Sequence, residues 1–155
     1  MPDSASPANV PPYRFELRVY WEDTDAGGIV FYANYLKFFE RARTEWLRSL
    51  GHGQERLRVE SGLMFVVTDT AVRYLRPARL DDLIDVTVHV ERAGPVRLTV
   101  AQQAWRLGDA GVCQAPALLA EGTIRIGCVD AGTYRPQRIP SSIQKSLNPA
   151  SPVPR

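Results

Sequence analysis

The spacing of apolar side chains changes twice along the chain, from strand-like alternation to helical spacing and back. Tyr13 to Tyr20, YRFELRVY, alternates apolar and polar and predicts a strand. Beyond it Tyr35, Phe39, Ala42, Trp46 and Leu50 recur at helical spacing, flanked by Leu36, Phe38 and Leu47. Asn34 is placed to cap this helix and Gly51 to end it. An apolar arc this wide predicts a helix that is wrapped by other elements rather than laid on a surface. A polar linker follows around His52 to Glu60, and then the period falls to two. LMFVVTDTAVRYLRP, LIDVTVHVER, VRLTVAQQAW and ALLAEGTIRIGCV each predict a strand. In the second of these, Ile84, Val86, Val88 and Val90 share one face, with Asp85, Thr87, His89 and Glu91 on the other. Arg92 to Val96, RAGPV, and Leu107 to Gly111, LGDAG, read as turns. Turns this short join antiparallel neighbours, so the pattern predicts an α+β chain: an antiparallel sheet around one long helix.

At 155 residues, 45% hydrophobic and 23% charged, the chain reads as one ordinary soluble domain. A formal charge of +2 is too small to point to nucleic acid, and no nucleic-acid partner is expected. The first residues, MPDSASPANVPP, carry neither a basic n-region nor an apolar h-region, and no apolar run reaches the roughly 20 residues of a membrane span. Two cysteines, Cys113 and Cys128, make a poor disulfide framework, which favours free thiols in a cytoplasmic protein. The expected organisation is a disordered leader over 1–12 and a folded domain over 13–140. A flexible tail over 141–155 follows, its start able to pack on the body.

The candidate chemistry lies between the first strand and the helix, in Asp23-Thr24-Asp25-Ala26-Gly27-Gly28. Asp23 and Asp25 open a D-x-D calcium pattern, but Gly27 and Asn34 stand where further ligands belong, and the entering element is a strand. Neither His52 nor His89 is near this loop, so no metal is expected. Neither histidine is paired by spacing with a Ser or Cys nucleophile, and the cysteines read as bystanders. A carboxylate remains. Gly27 and Gly28 permit close approach of a ligand, and the helix start supplies free N–H groups. Such donors polarise a carbonyl while a carboxylate attacks it or activates a water. The competing reading is that both aspartates merely bond the turn's own amides.

WEDTDAGGIVFYANYLKFFERARTEWL resembles the signature of the 4-hydroxybenzoyl-CoA thioesterase-like hotdog family. Within it the chain is most similar to the bacterial acyl-CoA thioesterases associated with the Tol–Pal system. RPARLDDLI, Arg76 to Ile84, resembles that branch's entry into its third strand, and the likeness runs from about Arg14 to about Pro140. The resemblance implies a hotdog fold, in which a sheet wraps one helix and subunits pair so that their sheets continue. It implies an acyl-CoA thioester hydrolase with Asp25 as nucleophile or general base and Asp23 as a structural residue. The amide of Tyr32 becomes the donor to the thioester oxygen, with Gly28 at the close approach. A second donor is implied near Met64 to Val66 of a partner subunit, so Phe65 and Val66 count as substrate-binding. Two departures are visible: Tyr32 stands where the Tol–Pal branch usually has His, and Trp21 where it has Tyr. Hotdog dehydratases need a His in the helix region, and Asn34 to Leu50 holds none.

Arg73, Arg76, Arg79, Arg92 and Arg97 read first as solvated faces, and second as contacts for coenzyme A phosphates, with Arg76 the one carried forward. The expectations are thus an acyl-CoA substrate, no cofactor, and a homo-oligomer, dimer or tetramer, because one small sheet leaves unpaired edges. The alternative is a non-catalytic acyl-binding or scaffold subunit of the same fold.

Overall fold

The computed structural model describes residues 11–108 and 115–147. Five strands, β1 (Tyr13–Arg18), β2 (Leu63–Tyr74), β3 (Leu83–Ala93), β4 (Arg97–Arg106) and β5 (Ala117–Asp130), form one sheet in the order β1-β3-β4-β5-β2. Every pair is antiparallel. The expected long helix is α1 (Asn34–Ser49), with two shorter helices, α2 (Gln54–Ser61) and α3 (Ser141–Leu147). The sheet wraps α1, which is the α+β hotdog arrangement.

The wrapping follows from the side chains. Tyr35, Phe38, Phe39, Ala42, Trp46 and Leu47 of α1 are buried against Ile84, Val86, Val100, Leu119 and Ile124 of the sheet. Each such side chain contributes about 1.5–3 kcal/mol by leaving water. The ladder register breaks between Val67 and Asp69, between Val90 and Arg92, and between Ala104 and Trp105. Irregularities of this kind bend strands and let the sheet curve around a helix. On the face away from α1, Asp85 and Thr87 are also buried, and Arg14 covers Asp85 through a 2.6 Å ion pair.

Four expectations need correction. The first strand stops at Arg18, and Trp21–Asp23 forms a 3₁₀ turn in place of its last residues. Asn34 is not the cap of α1: that position is Ala33, and the Asn34 amide bonds to Asp23 instead. The polar linker contains α2, whose Arg56–Glu60 and Arg58–Glu55 pairs stabilise a helix with little apolar surface. The tail opens with α3, which buries Ile143 and Leu147, rather than as flexible chain. The leader up to Val10, the last residues of the LGDAG turn, Cys113 and the chain beyond Leu147 lie outside the described residues.

Gly122 of β5 sits where Phe39 of α1 packs tightly on the sheet. A Cβ there would lie 3.1 Å from Phe39 Cε2 and 3.2 Å from the Ala71 carbonyl oxygen. The carbonyl is pinned in the β2–β5 ladder and gives little. Gly122→Ala is therefore expected to destabilise the fold by about 1–3 kcal/mol, the usual scale of overpacking, as read from urea unfolding. An unchanged or raised midpoint would mean that α1 is not held this tightly.

Candidate active site

The segment joining β1 to α1 is pinned at both ends before it reaches the helix. The Val19 N–H donates to the Asp82 carbonyl and the Val30 N–H to the Ala78 carbonyl, each at 2.9 Å. Within it, Thr24 pairs with Val30, and the Asp25 N–H donates to the Ile29 carbonyl at 2.8 Å. The result is a tight hairpin with Asp25 to Gly28 at its tip.

Asp23 is buried at the base of that hairpin, 4% exposed. Its Oδ2 accepts the Tyr20 N–H at 2.8 Å and its Oδ1 accepts the Asn34 side-chain amide at 3.2 Å. One carboxylate thus ties the end of β1 to the first residue of α1. Asp25 is in the opposite situation, because it is exposed at the tip. Its Oδ1 accepts the Gly27 N–H at 2.8 Å, while Oδ2 has no partner among the described residues. Gly28 follows with φ of 78°, a left-handed conformation that a side chain would strain. Two carboxylates two residues apart therefore differ in role: one is consumed by structure and one is half free.

Tyr32 lies where the hairpin enters α1. Its carbonyl accepts the Tyr74 hydroxyl at 2.9 Å, and its own N–H has no partner among the described residues. The ring is 63% exposed and stands 4.8 Å from Phe31 and 6.1 Å from Tyr74, centroid to centroid. Tyr74 continues to Tyr35 at 5.5 Å, and the Tyr35 hydroxyl accepts the Ala78 N–H. Burial pushes the Tyr35 and Tyr74 hydroxyls above the usual tyrosine range, so both remain neutral donors through the physiological range.

Asp25, Gly28 and Tyr32 thus share the hairpin that leads into α1. In the segment after β2, Arg76 donates its N–H to the Leu119 carbonyl of β5, while Arg79 pairs directly with Ile29 of the hairpin. Phe65 and Val66 are not brought there. They lie toward the other end of β2, roughly 30 Å of strand away from Tyr74, where Phe65 lines a cleft beside Trp46 and Leu47. Among the described residues no three His, Cys, Asp or Glu side chains converge to hold a metal. His52 contacts Ser146 and His89 lies on β3, both away from the hairpin.

The sequence pattern of the thioesterase superfamily matches residues 27–113, more than half of the chain. The chain belongs to that superfamily. It is 38% identical over 136 residues to the acyl-CoA thioesterase YbgC of Haemophilus influenzae, covering 88% of this chain and 94% of that one. It is 31% identical over 101 residues to a 1,4-dihydroxy-2-naphthoyl-CoA hydrolase of Thermosynechococcus vestitus, covering 64% and 69%. Among solved structures, a probable thioesterase from Bartonella henselae superposes with a TM-score of 0.69 at 30% identity, covering 83% and 98%.

Sequence reasoning missed Tyr74 and Tyr35 as the wall around Tyr32. Tyr74 meets Tyr32 across forty-two residues of chain and Tyr35 across thirty-nine, separations that no local spacing reveals. Asp23→Ala would leave the Tyr20 N–H and the buried Asn34 amide without an acceptor. It is expected to cost about 1–3 kcal/mol of stability, measured by chemical denaturation. A variant as stable as the parent would show that the hairpin is held by its backbone bonds alone.

Proposed function

We propose that this chain hydrolyses acyl-CoA thioesters to the free acid and coenzyme A, with Asp25 as the working carboxylate. One observation carries the reading. The one segment that leads into the buried helix carries an exposed Asp25 carboxylate and a Tyr32 amide. Among the described residues one Asp25 oxygen and the Tyr32 N–H have no partner, in a chain 38% identical to a named acyl-CoA thioesterase. The Tyr32 N–H and the adjoining helix terminus stabilise the oxyanion that forms when the thioester carbonyl is attacked. Asp25 either attacks the carbonyl carbon itself or takes the proton of the attacking water, and both routes need its negative charge. The thiolate of coenzyme A then leaves. On the general-base route it takes up the proton held by Asp25. On the nucleophilic route water next cleaves the Asp25 acyl anhydride to free acid and carboxylate, releasing a proton to the thiolate. Gly28 lets the thioester approach the loop, and Arg76 offers a planar pair of donors to a coenzyme A phosphate.

The reading includes a homo-oligomer. Among the described residues the outer edge of β2, twelve residues long, has no strand partner, and Val67, Tyr74 and Leu75 are exposed apolar side chains along and just beyond it. Such an edge is stabilised by pairing with a second copy. In that assembly Phe65 and Val66 of one chain complete the site of the other, which would account for their distance from Asp25 within one chain. No metal or organic cofactor enters the chemistry, and the cytoplasmic, Tol–Pal-associated setting implied by the resemblance belongs to the same proposal. No described helix is long and apolar enough to cross a membrane.

Purified protein is expected to release free thiol from acyl-CoAs, and Asp25→Asn to slow that release by about 10²-fold or more while substrate binding changes much less. A fully active Asp25→Asn enzyme would end the carboxylate mechanism. Binding of acyl-CoA without any thiol release by the parent would instead favour the non-catalytic acyl-binding subunit. Sedimentation is expected to show an oligomer at micromolar concentration, and a stable, active monomer would remove the shared site.

A further inference from the structure

Helix α1 does not open with an ordinary helical bond. The Leu36 N–H donates to the Ala33 carbonyl, three residues back, at 3.1 Å and passes over the Tyr32 carbonyl, four residues back. The Asn34 N–H likewise reaches back three residues, to the Phe31 carbonyl at 2.8 Å. Tyr32 and Ala33 are therefore enclosed in a tight, 3₁₀-like turn, and the Tyr32 carbonyl is left outside the helical ladder. Its one partner among the described residues is a side chain, the Tyr74 hydroxyl, which donates at 2.9 Å.

Tyr74 makes this bond from a rigid base. It pairs with Ala120 in the β2–β5 ladder, and the next two amides, of Leu75 and Arg76, both donate to the Leu119 carbonyl. Its ring stands edge-on to Tyr32 at 6.1 Å and to Tyr35 at 5.5 Å. The Tyr35 hydroxyl is in turn tied to the Ala78 N–H. On the other side of Tyr32, the Phe31 N–H donates to the Asp23 carbonyl at 2.9 Å. The sheet and the base of the hairpin thus grip Tyr32 from its two ends, and its own N–H is the group they leave free.

We infer that Tyr74 is a positioning residue: its hydroxyl holds the opening of α1 in the tight form and so aims the Tyr32 N–H at the thioester oxygen. The inference rests on the thioesterase reading above and adds a residue that acts through Tyr32 rather than on the substrate. The competing arrangement is the ordinary helical one. A Tyr32 carbonyl deprived of its donor draws the Leu36 N–H back across four residues, because an unpaired acceptor is costly. That exchange turns the tight opening into regular helix and carries the Tyr32 N–H out of its present direction. An oxyanion donor works by being in place before the charge develops. One that moves loses its hold on the transition state more than on the bound substrate. Burial pushes the Tyr74 hydroxyl above the usual tyrosine range, so it stays protonated and donating at neutral pH.

The test is Tyr74→Phe, which keeps the ring and its contacts and removes only the donor. kcat and KM for thiol release are measured on whichever of butyryl-, octanoyl- and benzoyl-CoA the parent hydrolyses fastest. Removing an oxyanion donor outright costs about 10²–10³-fold in kcat, so freeing one to move is expected to cost about tenfold, with KM nearly unchanged. A folded Tyr74→Phe with the parent's kcat overturns the inference. So does one in which only KM rises, because Tyr74 would then be a binding group. A second measurement needs no variant: a structure of the parent with an acyl-CoA ketone, a methylene replacing the thioester sulfur. There the Tyr74 hydroxyl is expected within about 3.0 Å of the Tyr32 carbonyl oxygen. A broken bond in that complex overturns the inference whether or not Tyr74→Phe folds. A parent that releases no thiol from any of the three substrates fails differently, because it removes the thioesterase reading itself.

Discussion

The candidate site depends on one buried carboxylate that does no chemistry. Asp23 accepts one bond from the backbone at the end of β1 and one from the side chain that opens α1. Because Asp23 and the Asn34 amide are buried, that bond cannot be traded for water without cost. The strand and the helix are thereby held at a fixed separation, and the hairpin between them has little freedom. Asp25, two residues on, inherits that rigidity while remaining exposed. A thioesterase site of the proposed kind needs a preorganised acceptor and donor, and in that proposal Asp23 supplies the preorganisation for Asp25.

The rest of the fold determines where that hairpin points. A helix as apolar as α1 must be enclosed, and a single five-stranded sheet can enclose it only by curving. Gly122 permits the tight packing of Phe39, and the register breaks in β2, β3 and β4 supply the curvature. Enclosure is nevertheless incomplete along β2, where open clefts remain between it and α1. In the proposed function, the same incompleteness gives substrate a way in and gives a second chain an edge to join. On that proposal, oligomer and active site are two consequences of one unfinished wrap.

Most of this was legible in the residues because most of it is periodic. The limits of β3, β4 and β5 follow from alternation, and Gly51 ends α1 with a φ of 88° as its position suggests. What escaped was long-range or aperiodic. Asn34 looks like a helix cap locally, but its amide is claimed by an aspartate eleven residues earlier. The helix α2 has no apolar stripe, burying only part of Leu57, so its sequence reads as linker. Tyr74 looks like an ordinary strand residue until the fold places it against Tyr32. The acidic motif itself could be found from sequence, but the different roles of its two aspartates could not be derived from spacing. Burial separates them.

The central claim is that a thioester carbonyl is held between the Asp25 carboxylate and the Tyr32 amide. A structure of the protein with a non-hydrolysable acyl-CoA ketone, in which a methylene replaces the thioester sulfur, tests it most directly. The account predicts the ketone oxygen within about 3.2 Å of the Tyr32 nitrogen, with an Asp25 oxygen facing the carbonyl carbon and Asp23 unmoved. A ketone bound elsewhere, or an Asp25 carboxylate turned wholly onto the amides of its own loop, would contradict it.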